Sequence, residues 1–149
     1  MEIIKSHNKK SRECKESDIP RIIADANEMI KLCFKQLGIK KGALAIAHCQ
    51  VTDKDPLRFF VTQEGRIYIN PIIINHTKTT IDSVEGCMSF ASMNDIMVKR
   101  YNKVTVTFKS LSGDGYGFTG TSEVNTSGKM SKVFQHEIDH FEGVNIYGM

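Results

Sequence analysis

His136-Glu137-Ile138-Asp139-His140 is the stretch from which the rest of the chain can be read. On an α-helix, residues four apart lie about 40° apart around the axis and one turn up. Both imidazoles therefore leave the same face and can close on one metal ion. Glu137 follows the first histidine and can reach water beside that ion. Neutral imidazole suits zinc or iron, and a carboxylate can take a proton from water. A chain with five histidines can also write this pattern as an exposed surface helix. Its surroundings have to decide between the two.

Those surroundings favour a helix. Thr126 or Ser127 can start it and Gly143 can stop it. A second helix is written earlier, with Ser17 or Asp18 as cap, Pro20 in the first turn and Gly38 at the end. Ile22, Ile23, Ala26, Met29, Ile30, Cys33, Phe34 and Leu37 form its apolar set. Between the two helices the chain reads as strands. Leu44 to Val51 is short and apolar. Leu57 to Val61 and Arg66 to Asn70 flank a turn at Gln63 to Gly65, and Pro71 interrupts before Ile72. Val98 to Phe108 is one strand, with Val104, Val106 and Phe108 on one face and Thr105 and Thr107 on the other. Gly113-Asp114-Gly115 turns into Tyr116 to Gly120. This is an α+β pattern: antiparallel or mixed strands around a central H-E-x-x-H helix, with one N-terminal helix and no repeating βαβ unit.

A catalytic metal site commonly has three protein ligands and one open position. Cys87, in Glu85-Gly86-Cys87-Met88-Ser89, is one candidate third ligand, since a thiolate suits a borderline metal. A buried cysteine that only packs is the competing reading. Cys14, Cys33 and Cys49 compete for the same role, although Cys33 lies on the apolar helix face and Cys14 in a polar lead-in. Gln50 closes Gly42-Ala43-Leu44-Ala45-Ile46-Ala47-His48-Cys49-Gln50. Its amide can donate to an oxyanion, or it can simply end a buried strand.

Composition narrows the class. The chain has 149 residues, which suits one domain over 1–149 with its own core. It is 40% hydrophobic and 25% charged, with a net charge of +3 and scattered lysines. That excludes the basic stripe of a dedicated nucleic-acid binder. No apolar run reaches the ~20 residues of a membrane span, and no secretory signal is written at the start. The four cysteines include no C-x-x-C pair. Free thiols and a cytoplasmic setting are expected.

Three segments together resemble the peptide deformylase family, in order and at similar spacing. Ala43 to Gln50 resembles its G-x-G-L-A-A-x-Q, Glu85 to Ser89 its E-G-C-L-S, and Gln135 to His140 its Q-H-E-x-D-H. Ile69-Asn70-Pro71 resembles the family's I-N-P, and Arg100 the arginine on its next strand. The resemblance implies metal ligands Cys87, His136 and His140, with Glu137 as general base. It implies that Gln50 and the Met88 backbone N–H meet the oxyanion. Ala43, Leu44, Ala45, Met130, Val133 and Phe134 are the implied substrate contacts, and Glu85 and Arg100 support the ligands from behind. The implied metal is Fe(II), with Zn(II) or Ni(II) able to occupy the site. The implied substrates are N-formylmethionyl peptides and nascent chains.

Four departures mark this chain. Ala43 and Ala45 stand where the family has glycines, and His48 where it has alanine. Phe90 to Met93 lacks the family's proline. Little sequence follows His140, as in short virus-encoded forms, so ribosome docking through a C-terminal helix is not expected. A monomer in the cytoplasm, or in a host's cytoplasm, is expected. The alanines also motivate an alternative, a related de-N-acylase or peptidase with a different substrate. A catalytically silent metal-binding protein is a further alternative, against which Glu137 argues.

Overall fold

A computed structural model gives the fold and describes residues 1–4, 10–37, 45–87, 89 and 93–148. Helix α1 (Ile19–Leu37) follows a short 3-10 turn. Asp18 stands at its start, accepting from the Lys15 N–H at 2.8 Å and from both Arg12 terminal nitrogens. Pro20 sits in the first turn, where its missing N–H costs nothing. Ile22, Ala26, Met29 and Cys33 are fully buried, spaced three and four apart. Phe34 does not join them: it is 61% exposed. It follows Cys33 directly, and one residue is about 100° around a helix. The expected stop, Gly38, lies outside the described residues.

The strands are β1 (Ala45–Ala47), β2 (Phe59–Thr62), β3 (Ile67–His76), β4 (Thr80–Glu85), β5 (Ile96–Tyr101), β6 (Lys103–Lys109) and β7 (Ser122–Ser127). Five form one antiparallel sheet in the order β1-β2-β3-β6-β7, and β4 and β5 form a separate antiparallel ribbon. Alternation along β2 divides the core into two layers. Phe59 and Val61 face α1 with Ile46, Leu57 and Ile69. Phe60 faces the other way, toward Tyr68, Val104, Val106, Phe134 and Phe141. The last two belong to α2 (Gly128–Phe141), so the two helices cover opposite faces of the sheet.

Several boundaries differ from the sequence reading. β1 ends at Ala47, and His48–Gln50 is a 3-10 turn rather than more strand. Pro71 does not interrupt β3. It sits inside a register shift between Ile69 and Ile72, the kind of irregularity where a strand tolerates proline. The expected long strand from Val98 breaks at Asn102, and its halves enter different sheets. β4 and β7 were not foreseen, being too polar to alternate clearly. Tyr116 to Gly120 forms no strand, only a bridge between Leu111 and Phe118. Among the described residues, no helix is long and apolar enough to cross a membrane.

Candidate metal centre

Helix α2 positions the H-E-x-x-H residues and is fixed at both ends. Ser127 occupies the N-cap in extended conformation, and Gly128 takes φ 57°, which favours glycine. At the other end Gly143, with φ 75°, donates to the His140 carbonyl at 3.0 Å. Val144 reaches back to the Asp139 carbonyl at 3.0 Å, so the helix stops just after its second histidine. Gln135 fixes the rotation. Its carboxamide accepts from the Tyr101 N–H and donates to the Tyr101 carbonyl, both at 2.8 Å.

The ligand atoms of Cys87, His136 and His140 lie within 4.8 Å of one another. Cys87 Sγ is 3.5 Å from His140 Nε2, and both residues are buried. Cys87 arrives from the end of β4. Cys14, Cys33 and Cys49 are buried as well, and burial pushes each thiol up to about 12, so they stay protonated. Cys14 and Cys33 belong to the apolar layer under α1.

Glu85 holds the His136 ring. Its Oε1 lies 2.9 Å from His136 Nδ1, which turns Nε2 toward the cluster. Arg100 grips the same carboxylate with two bonds, at 2.8 and 2.9 Å, and Ser83 adds a third donor at 2.7 Å. Burial raises the pKa of Glu85, but Arg100 and His136 outweigh it and hold it down to about 2. Arg100 also reaches Asp139 at 2.8 Å, tying the ribbon to α2. Burial lowers the His136 pKa, yet Cys87 and Glu85 acting together raise it overall. Its ring therefore sits among groups that favour positive charge.

Glu137 follows His136 on the same helix. It is 4% exposed, and its Oε2 has no hydrogen-bond partner among the described residues. Burial pushes its pKa up to about 7, with Glu85 adding and His136 and Arg100 subtracting. Gln50 completes the wall. The Ala47 N–H donates to its Oε1 at 2.9 Å, which leaves Nε2 directed at Ser89 Oγ (3.1 Å) and Cys87 Sγ (3.5 Å).

This donor set fits a divalent cation. A thiol and two imidazoles suit a borderline metal, and three protein ligands leave room for water or substrate. The unpartnered Glu137 oxygen is a second sign, since a buried polar atom without a partner calls for an explanation.

The remaining sequence-level residues divide. Ala45 is buried on β1, an edge strand of the described sheet. Met130 and Val133 are partly buried and pack on the sheet. Phe134 is core rather than pocket, 1% exposed and edge-on to Phe60 and Tyr68. Ala43, Leu44 and Met88 lie outside the described residues. Sequence reasoning missed Asp139 and Ser89 as partners, although both stand inside the quoted motifs, and it missed the role of Gln135 as a pin.

Comparison with known proteins gives the family. The polypeptide deformylase family model matches residues 3–148. Peptide deformylase 2 of Bacillus anthracis is 35% identical over 120 residues, covering 79% of this chain and 58% of that protein. The Bacillus subtilis protein of the same name is 30% identical with the same coverage. The chain thus spans somewhat over half the length of these relatives. A solved peptide deformylase from a Vibrio parahaemolyticus bacteriophage, in complex with actinonin, superposes with a TM-score of 0.75 at 26% identity, covering 98% of this chain and all of that one, 100%. The Thermotoga maritima enzyme, at 24% identity, shares the fold with a TM-score of 0.78 over 99% of this chain and 97% of its own. This chain belongs to the polypeptide deformylase family.

Proposed function

We propose that the protein is a peptide deformylase, acting as one catalytic domain over residues 1–149. It hydrolyses the formyl amide of N-formylmethionyl peptides, releasing formate and a free amino terminus. Cys87, His136 and His140 would hold the divalent metal, Fe(II) natively, with Zn(II) or Ni(II) as substitutes. The observation that carries the reading is Glu137: a buried carboxylate with an unpartnered oxygen, adjacent in the chain to His136 of the Cys87, His136 and His140 cluster.

When bound, the metal supplies Lewis acidity, activating water and polarising the formyl oxygen. The chain's own residues move the protons and set the geometry. Glu137 Oε2 takes a proton as water adds to the formyl carbon. It returns a proton to the departing nitrogen as the C–N bond breaks. Gln50 Nε2 donates to the oxygen that gains charge during addition, and the Met88 backbone N–H joins it by family resemblance. Glu85, held by Arg100, keeps the His136 ring turned toward the site. The peptide lies extended along the Ala43 to Ala45 segment, adding a strand at the edge next to β1. Its methionine side chain packs near Leu44, Met130 and Val133.

The natural substrates are nascent chains, met in the cytoplasm of the cell that makes them, or of a host if the protein is virus-encoded. The enzyme works as a monomer. Incubating metal-loaded protein with formyl-Met-Ala-Ser and, separately, acetyl-Met-Ala-Ser tests the reading. Formate from the first and no acetate from the second is the expected result. Acetate release, or no formate from folded and metallated protein, contradicts it.

A further inference from the structure

His48 stands where the family motif has a small residue, and it is fully buried, 0% exposed. Both ring nitrogens are matched. The Leu57 N–H donates to Nδ1 at 2.9 Å, and Nε2 lies 2.8 Å from Asp25 Oδ2 on α1. Because Nδ1 accepts, Nε2 carries the proton and donates, so the ring is in one tautomer. The ring also stacks on Phe59, with centroids 4.6 Å apart. Arg21 lies 3.7 Å from the same Asp25 carboxylate and donates to the Lys54 and Asp55 carbonyls. The ring is thus bound to α1 on one side and to the backbone that enters β2 on the other.

His48 is the first residue of the 3-10 turn whose third residue is Gln50. That turn is closed at its end by the bond from the Val51 N–H to the His48 carbonyl at 3.1 Å. The Gln50 side chain folds back onto the Ala47 N–H, so its direction follows the turn backbone from 47 to 50. His48 points toward the α1 layer while Gln50 points toward Cys87. We infer that His48 is a positioning residue for Gln50, locking the turn to α1 and to the Leu57 backbone so that the carboxamide keeps its aim on the reacting oxygen. The inference rests on the deformylase reading for what Gln50 does there. The plainer account, a histidine that merely fills the core, predicts a stability loss with no special tie to Gln50.

A double-mutant cycle separates the two. Formate release is measured on metal-loaded wild type, His48→Ala, Gln50→Ala and the double variant. His48→Ala should lower kcat about ten- to a hundredfold, the scale of a misplaced group, with KM changed less than about threefold. In the Gln50→Ala background it should cost almost nothing more, because the group it positions is gone. His48→Asn, whose side-chain oxygen can accept the Leu57 N–H, should recover most of the rate, and it carries the test if His48→Ala does not fold. Equal losses in both backgrounds, or wild-type kcat in folded His48→Ala, overturn the inference. The side-chain amide NMR signals of Gln50, identified by their loss in Gln50→Ala, give a readout independent of turnover. They should shift or broaden in the His48 variant, and unchanged signals overturn the inference as well. No formate from wild type would instead defeat the deformylase reading, and the NMR comparison would still judge the placement of Gln50.

Discussion

His136 Nδ1 and Glu85 Oε1 lie 2.9 Å apart, and that contact fixes which nitrogen His136 can offer to a metal. The carboxylate is itself held by Arg100, so the ring inherits its orientation from β5 across the site. Glu85→Gln keeps the shape and removes the charge. Metal affinity should fall about 10- to 100-fold, as for other groups that support a ligand histidine. Competition with a chelator, using Zn(II) or Ni(II), measures it. An unchanged affinity would mean that Glu85 does not act on the ring.

Arg100 is 8% exposed and the Glu85 side chain 11%, so their pair is shielded from water on both sides. Removing one partner leaves an uncompensated buried charge, at a cost of about 3–5 kcal/mol. Arg100→Met should lower the urea midpoint by a corresponding amount in metal-free protein. A loss below about 1 kcal/mol, the scale of an exposed ion pair, would show that the site admits more water than the structure indicates.

His48 gives folding a pH dependence. Burial pushes its pKa below the ordinary value, the hydrogen bond to Asp25 resists, and the Arg21 charge lowers it again, with Asp55 a weaker opposing charge. The folded state thus favours the neutral ring. Its contribution to stability is complete above the unfolded pKa of about 6.5 and is lost as pH falls through the lower folded value. Urea midpoints at pH 7.5 and 5.5 should therefore differ more in wild type than in His48→Asn. Equal differences would contradict a neutral buried ring.

Phe134→Ala tests the layer beneath the metal helix. Phe134 packs edge-on against Phe60 and Tyr68 with ring centroids 5.4 and 4.9 Å away. Truncating a buried phenylalanine costs about 3–5 kcal/mol. The substitution should lower stability by that amount and leave peptide KM unchanged, any loss of folded protein showing only as a lower apparent kcat. A raised KM in fully folded variant would make Phe134 a pocket residue, for which the sequence offered it as a candidate beside a plain core role.

The α+β class and the metal-binding helix were legible in the sequence, and the strand limits much less so. That His136 and His140 share one helix face was legible from their spacing, whereas Cys87 was set apart from the other cysteines by the family resemblance, and the fold brings the three together. The α1 face was legible for a similar reason, as burial repeats with the helical period, and Phe34 failed where apolar identity replaced spacing. Strand limits were less visible. Asn102 divides one alternating run between two sheets, and nothing local marks which neighbour each half will meet. β7 reads as polar because both its faces carry Ser, Asn, Thr and Glu around Val124. The Arg100–Asp139 bond and the Gln135–Tyr101 clasp join distant segments, so only the folded chain reveals them.

The central claim is that Glu137 moves protons within the Cys87, His136 and His140 site. The measurement that tests it most directly is formate release from formyl-Met-Ala-Ser by wild type and Glu137→Ala, both loaded anaerobically with Fe(II) or Ni(II) and checked for equal metal content. The account predicts full metal in both proteins and a kcat lowered about 10²- to 10⁴-fold in the variant, the range of a lost general base. A metallated Glu137→Ala that turns over like wild type would contradict it.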